Sequence, residues 1–140
     1  MSMPHQITAT GLVALGGGAG AVLRYQTGRL LTWLLGPNTV TAFPWATLTV
    51  NVLGSFAMGL LAGFLARHGG STTFGGGEHW RLMIGVGLLG GFTTFSAFSL
   101  EMMLLIERGQ SPLAFTYAAV SLLGGVTGLY LGLIAMRIAG

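Results

Sequence analysis

Four long runs of apolar residues, separated by short segments rich in glycine, proline, asparagine and serine, dominate the pattern of the chain. The runs cover about residues 7–35, 43–66, 82–106 and 112–136. A helix that crosses ~30 Å of hydrocarbon at ~1.5 Å per residue needs about 20 mostly apolar residues, and each run is long enough. The pattern therefore predicts one all-α membrane domain over residues 1–140, with four transmembrane helices and loops near 36–42, 67–80 and 107–111.

Glycine recurs at helical spacing inside these runs. The chain has 25 glycines, and several stand four residues apart on one helix face: Gly16/Gly20, Gly59/Gly63, Gly87/Gly91 and Gly124/Gly128/Gly132. Small residues at this spacing let membrane helices approach closely, because apolar side chains gain little by leaving lipid for protein. We therefore expect the spans to pack through their glycine faces.

Composition supports the membrane class and removes several others. Hydrophobic residues make up 52% of the chain and charged residues 6%, and the mean hydropathy is +0.76. A soluble domain carries about a quarter charged residues, so we expect most of this surface to contact membrane lipid. The six arginines give a net charge of +3 but stand singly, without the clustered basic face that nucleic-acid binding needs. We predict no nucleic-acid partner and, with neither a Walker A motif nor a catalytic triad, no enzyme activity.

The arginines also bear on orientation in the membrane. With four spans, Arg67, Arg81 and Arg137 fall on one side, and Arg108 and Arg29 fall on the other. Orientation normally follows an excess of arginine and lysine on the cytoplasmic side, and three against two is a weak excess. We therefore predict that the chain inserts in both directions. Two opposed copies would then pair about an axis in the membrane plane, as an antiparallel homodimer of dual topology.

The third run contains the segment GLLGGFTTFSAFSLE at residues 87–101, which is poorly suited to a continuous helix. Gly90 and Gly91 each weaken a helix by ~1 kcal/mol relative to alanine. Thr93 and Thr94 follow, and their hydroxyls compete for backbone hydrogen bonds. The pattern predicts a third helix broken near its middle, which would free carbonyl oxygens for a bound cation. The alternative is an unbroken helix in which the glycines only pack.

Aromatic and amide side chains in the second and third spans suggest a route for an anion. Phe92, Phe95 and Phe98 recur every third residue and share a face. Their electropositive ring edges suit an anion, although such stripes also form ordinary cores. Asn51 in the second span either donates a hydrogen bond to an anion or bonds a neighbouring helix.

Hydroxyl groups and one cation extend this set of candidates. Tyr117 and Ser121 are four residues apart in the fourth run, so they share a helix face and would lengthen a track of donors. Arg24 is a fixed positive charge in or near the first span. It either attracts anions at a vestibule or reaches towards lipid headgroups.

Three segments, GGGAGAVLRY, FPWATLTVNVLGSF and GGFTTFSAFS, occur in this order within residues 14–101. Together they resemble the signature segments of the Fluc (CrcB) fluoride-channel family. The resemblance implies an antiparallel, dual-topology homodimer in the bacterial plasma (inner) membrane. It implies two passive, fluoride-selective pathways that export fluoride from the cytoplasm and lower its toxicity, and a structural sodium ion at the dimer centre.

The same resemblance implies particular site residues. Backbone carbonyls of Gly90 and Thr93 from both subunits would hold the sodium ion, and Arg24 would lie in the vestibule. Gly125 stands where some relatives have a further hydroxyl, which is a departure from the family pattern. The fluoride pathway would contain five side chains: Asn51, Phe95, Phe98, Tyr117 and Ser121.

Two other functions fit parts of the pattern. A small dual-topology, proton-coupled exporter would need a carboxylate in the membrane, and Glu101 is the candidate. An assembly subunit without transport would need only packed helices, and it would leave Asn51 and the hydroxyls of the third span without a role. Flux that is independent of a pH gradient favours the channel over the exporter. Absence of any flux favours the assembly subunit.

Overall fold

The computed structural model describes residues 3–68 and 76–139, and every regular element in these ranges is helical. Three spans are single helices: α1 (Met3–Leu35), α3 (Trp45–His68) and α7 (Ser111–Ile138). The third span is composite, and its apolar stretch covers Gly77–Glu107. All four are long and apolar enough to cross a membrane, so the predicted all-α membrane fold with four long apolar helices is confirmed.

The third span consists of four helical pieces. A short helix, α4 (Gly76–Trp80), leads into a π-helical segment (Arg81–Leu89), then α5 (Gly90–Phe92) and α6 (Phe95–Glu107). Between α5 and α6 the backbone is extended, at φ −80°, ψ 159° for Thr93 and φ −153°, ψ 122° for Thr94. The Thr94 hydroxyl then caps α6 by accepting a hydrogen bond from the Ala97 N–H at 3.2 Å.

The segment at 36–42, which the sequence pattern assigned to a loop, is mostly helical, and that prediction is wrong. Residues Pro37–Ala42 form a short helix, α2. Gly36 ends α1 with a φ of 82°, and Pro37 then supplies a φ suited to the first turn of a new helix. The predicted loop at 67–80 is also shorter than expected, because Gly76–Trp80 is helical; residues 69–75 lie outside the described residues.

Glycine contacts hold the spans together in two pairs. The first span packs on the π-helical segment and α5, and α3 packs on α7. A Cβ atom on Gly20 would overlap the Leu88 carbonyl oxygen, and one on Gly132 would overlap the carbonyl oxygen of Phe56. The backbones therefore approach too closely for any larger residue there, which confirms the predicted packing through glycine faces.

The buried core lies where α6 meets α7 near the start of α3. Leu105, Ala114 and Tyr117 form it, and each is at most 3% exposed. Elsewhere large apolar side chains face outward, as Trp33 and Phe95 do at 79% exposure each. Such a surface suits hydrocarbon or a further protein subunit, since a single chain in water would leave it unburied.

Candidate ion pathway

Asn51 joins the second span to the extended part of the third. Its Nδ2 donates to the Thr94 carbonyl at 3.0 Å, and its Oδ1 accepts from the Thr94 N–H at 2.8 Å. Of the two uses open to this amide on the sequence alone, the bond to a neighbouring span is therefore present. An amide nitrogen carries two hydrogens, so one N–H remains for a further acceptor.

A cavity of about 300 Å³ lies beside this contact. From α3, Asn51 and Ser55 line it, and from the third span Leu89, Thr93 and Phe95 do so. It is open towards the outside of the single chain, where Phe95 is 79% exposed. The amide, a hydroxyl and an aromatic ring thus face one space.

The two phenylalanines assigned to the pathway stand next to each other. Their ring centroids are 5.7 Å apart, with the planes inclined by 35°. The ring centroid of Phe98 also lies 5.0 Å from that of Tyr117 in α7, and the Tyr117 side chain is fully buried. Three of the five predicted pathway side chains, Phe95, Phe98 and Tyr117, therefore form one continuous aromatic series.

Glu101 is held between the second and fourth spans by two hydroxyl donors. The Tyr117 hydroxyl donates to Oε2 at 2.8 Å, and the Thr47 hydroxyl donates to Oε1 at 2.7 Å. Tyr117 is one of the predicted pathway residues, whereas Thr47 is not among the residues that the sequence predicts for the site. The available signal was spacing, because Thr47 precedes Asn51 by one helical turn and so shares its face.

Ser121 follows Tyr117 by one turn on α7. Its hydroxyl oxygen is buried and has no hydrogen-bond partner among the residues that the structure describes. Buried hydroxyls are almost always paired, because an unpaired one loses its hydration without compensation. The free hydroxyl is therefore a place where a ligand or water is expected.

Arg24 is half-buried and lines a cleft that reaches α2. This cleft has a volume of about 660 Å³, and Arg29 and Thr32 also line it. A second cleft of about 200 Å³ contains Glu101 and Arg108, and both clefts share Val40 and Ala46 in their linings. Four charged residues thus line these two adjoining clefts: Arg24, Arg29, Glu101 and Arg108.

The Gly90 and Thr93 carbonyls fit the requirements of a site for a hard cation. In a continuous α-helix these two oxygens would accept hydrogen bonds from the N–H groups of Thr94 and Ala97. Thr94 N–H donates to Asn51 instead, and Ala97 N–H donates to the Thr94 hydroxyl. Within the described residues, no group of three or more acidic, histidine or cysteine side chains offers a metal site. Neutral backbone oxygens suit a monovalent ion such as sodium.

Fold and site together define a class. The chain is a small four-span membrane protein whose amide, hydroxyl and aromatic side chains gather inside its spans, and such groups at membrane depth mark ion or substrate pathways. The family model described as CrcB-like protein, Camphor Resistance (CrcB), matches residues 11–133. The chain belongs to this family, which confirms the resemblance found in its sequence segments.

Curated relatives cover nearly the whole chain. A protein named Fluoride-specific ion channel FluC from Novosphingobium aromaticivorans is 61% identical over 131 residues, which is 94% of this chain and 98% of that protein. A protein of the same name from Erythrobacter litoralis is 49% identical over 138 residues, which is 99% of this chain and 98% of that protein. Another from Rhodospirillum centenum is 52% identical over 127 residues, which is 91% of this chain and 94% of that protein.

Proposed function

We propose that the chain is a passive, fluoride-selective channel of the bacterial plasma membrane and that it works as an antiparallel homodimer. The observation that carries this is the placement of Asn51 and Phe95 on one cavity, with Phe98 beside Phe95 at 5.7 Å. The relatives share the name of a fluoride-specific ion channel. The chain is accordingly a transport protein and not an enzyme.

A second copy is needed because one chain leaves the pathway open at its side. The cavity at Asn51 reaches the outer surface, and Phe95 is 79% exposed there. Four spans are few for enclosing a pore, and eight would suffice. The weak arginine asymmetry supports copies of opposite orientation, each acting as a single four-span domain. In this arrangement the interrupted third span of each copy lies at the shared centre.

The groups along the proposed route hold an anion without a fixed charge. Asn51 retains an N–H, the Ser121 hydroxyl is unpaired within the described residues, and phenylalanine ring edges are electropositive. Tyr117 borders the route through its ring contact with Phe98. Several weak contacts bind an ion strongly enough to admit it and weakly enough to release it. Arg24 would concentrate anions at the vestibule.

Passive conduction is sufficient for export. Hydrogen fluoride is a weak acid that enters cells in its neutral form and ionises at cytoplasmic pH, which traps fluoride inside. An inside-negative potential drives anions out with ~2.3 kcal/mol per charge per 100 mV. A fluoride pathway therefore lowers the internal concentration, and its toxicity, with no nucleotide or proton coupling.

A structural sodium ion at the dimer centre completes the proposal. The carbonyls of Gly90 and Thr93 from two copies would offer four neutral oxygens, and each carbonyl has lost the N–H that a helix would give it. A carbonyl without a partner at membrane depth costs several kcal/mol, which a bound cation would offset. The ion would also place positive charge near two anion routes.

The test is fluoride efflux from liposomes that contain the purified chain. A fluoride electrode should record rapid release of fluoride when a potassium ionophore balances charge, and a chloride electrode should record far slower release of chloride. Efflux that ignores an imposed pH gradient separates the channel from a proton-coupled exporter using Glu101. Equal chloride flux, or no flux from correctly folded protein, would contradict the proposed function.

A further inference from the structure

Asn51 accepts a hydrogen bond from a backbone N–H of the third span that would otherwise bond within the helix. Helical bonding in this span continues up to Thr93, whose N–H donates to the Leu89 carbonyl at 2.9 Å. The next N–H, that of Thr94, would donate to the Gly90 carbonyl if the helix continued. It donates to Asn51 Oδ1 at 2.8 Å, so the Gly90 oxygen is left without its helical donor.

We propose that Asn51 is a positioning residue for the central cation site, because its amide frees the Gly90 carbonyl and fixes the peptide groups that follow. This role rests on the proposed function, since the cation site belongs to the proposed dimer. It differs from direct contact with the anion, which would use the remaining N–H of the same amide. One side chain would then touch the anion route and shape the cation site.

The second cation-site carbonyl is freed by a related exchange. Ala97 N–H would donate to the Thr93 carbonyl in a helix, and it donates to the Thr94 hydroxyl at 3.2 Å. Thr94 can act as this cap only in its extended conformation. Asn51 holds that conformation by bonding both the N–H and the carbonyl of Thr94. Both proposed sodium ligands therefore depend on one amide.

Asparagine is specifically suited to this contact. The Thr94 peptide groups need one acceptor and one donor at the end of a short side chain, and an amide supplies both. Leucine has similar bulk and supplies neither. Aspartate at position 51 would still accept the hydrogen bond from the Thr94 N–H. Its second oxygen would replace the donor nitrogen and face the Thr94 carbonyl oxygen, so that two acceptors would meet. Asn51→Leu is thus the substitution that removes both hydrogen bonds with the least change in volume.

The first experiment measures sodium-dependent thermal stability of the purified protein in detergent, with N-methylglucamine as the replacement cation. Wild type should be stabilised by sodium. In Asn51→Leu the sodium concentration for half of the effect should rise by about tenfold or more, since two partly buried hydrogen bonds that hold the ligands are lost. Ser55→Ala is the matched control, because Ser55 lines the same cavity one turn along α3 and should leave the sodium response unchanged.

The second experiment needs no substitution at Asn51. The chain has two asparagines, Asn51 and the exposed Asn38, so selective labelling with nitrogen-15 gives two pairs of side-chain amide signals in an NMR spectrum. Titration with sodium should shift the Asn51 signals and leave those of Asn38 in place. Asn51 signals that ignore sodium would overturn the inference, even if Asn51→Leu fails to fold.

The remaining outcomes separate this role from the channel itself. Fluoride flux in a wild type that shows no sodium response overturns the role of Asn51 and leaves the channel standing. A sodium response that survives in Asn51→Leu overturns it as well. Loss of the sodium response in Asn51→Leu, when the wild type itself shows no fluoride flux, supports the role and contradicts the proposed function.

Discussion

Removal of the Tyr117 hydroxyl is the sharpest test of how the second, third and fourth spans are joined. Tyr117 is fully buried, and its hydroxyl donates to Glu101 Oε2 at 2.8 Å. Its ring packs edge-on against Phe43 at 5.4 Å and tilted against Phe98 at 5.0 Å. Tyr117→Phe keeps these ring contacts and deletes only the donor, so its effect reports the hydrogen bond.

The expected loss of stability follows from the burial of Tyr117 and from the nature of its acceptor, the carboxylate of Glu101. A hydrogen bond to a carboxylate contributes about 1.5–3 kcal/mol, and deleting its donor leaves a half-buried acceptor partly unsatisfied. Thr47 still donates to the other carboxylate oxygen at 2.7 Å, so Glu101 keeps one hydrogen bond in the variant. We therefore expect Tyr117→Phe to lower the free energy of unfolding by about 1.5–3 kcal/mol, which is about a 10- to 150-fold change in the equilibrium constant.

Reversible unfolding in mixed detergent micelles, followed by tryptophan fluorescence at fixed protein concentration, measures this difference. Tyr130→Phe is the matched control, because Tyr130 lies on the same helix, is 59% exposed, and should lose no more than about 0.5 kcal/mol. In a Glu101→Met background the Tyr117 hydroxyl has lost its acceptor, so Tyr117→Phe should leave the stability unchanged or raise it. A wild-type stability for Tyr117→Phe, or an equal loss in both backgrounds, would refute the hydrogen bond as the link between the spans.

Three further predictions concern the pathway, the topology and the packing. Phe95→Ile or Phe98→Ile should abolish or sharply slow fluoride efflux without preventing dimerisation; normal conduction by both would make the stripe ordinary packing. Cysteine labelling at position 2 should find termini on both sides of the membrane in comparable amounts, and a single orientation would contradict the antiparallel homodimer. Gly132→Leu should destabilise the protein by more than about 2 kcal/mol because its side chain would overlap the Phe56 carbonyl. Gly125→Ala should be tolerated, because its methyl group would make only an ordinary contact with Ser55 Oγ at 3.5 Å. If both substitutions lowered the stability equally, the close approach of the backbones at Gly132 would not be the cause of the loss.

The number and length of the spans could be predicted because hydrocarbon acts on every residue of a span in the same way. Each run of about 20 apolar residues appears as a long helical span, and the glycine faces meet as their spacing indicated. The short helix Pro37–Ala42 could not be predicted in this way, since it is too short to span a membrane and is held partly by a contact from a distant segment. Its Thr41 hydroxyl bonds back to the Pro37 carbonyl at 2.7 Å, and Arg108 reaches the Thr41 carbonyl from another segment.

Residue types in the candidate site could be found from sequence, but their partners could not. Polar groups in an apolar run stand out one at a time, which identified Asn51, Tyr117 and Ser121. The hydrogen bonds from Tyr117 and Thr47 to Glu101 join residues 16 and 54 positions apart. Such pairings depend on how the helices cross, and periodicity within one helix carries no information about that.

The extended conformation of Thr93 and Thr94 is set by contacts with α3 more than by the preceding glycines, Gly90 and Gly91. Gly90 is helical, with φ −64° and ψ −36°, and Gly91 is needed because a Cβ there would overlap the Gly17 carbonyl of α1. The extended residues begin at Thr93, whose methyl group occupies the space left open at Gly54. Asn51 lies three positions before Gly54, on the same face of α3, and bonds Thr94. Glycine and threonine lower the stability of a continuous helix in this segment. The space at Gly54 and the amide of Asn51, both on α3, determine which peptide groups lie outside the helix.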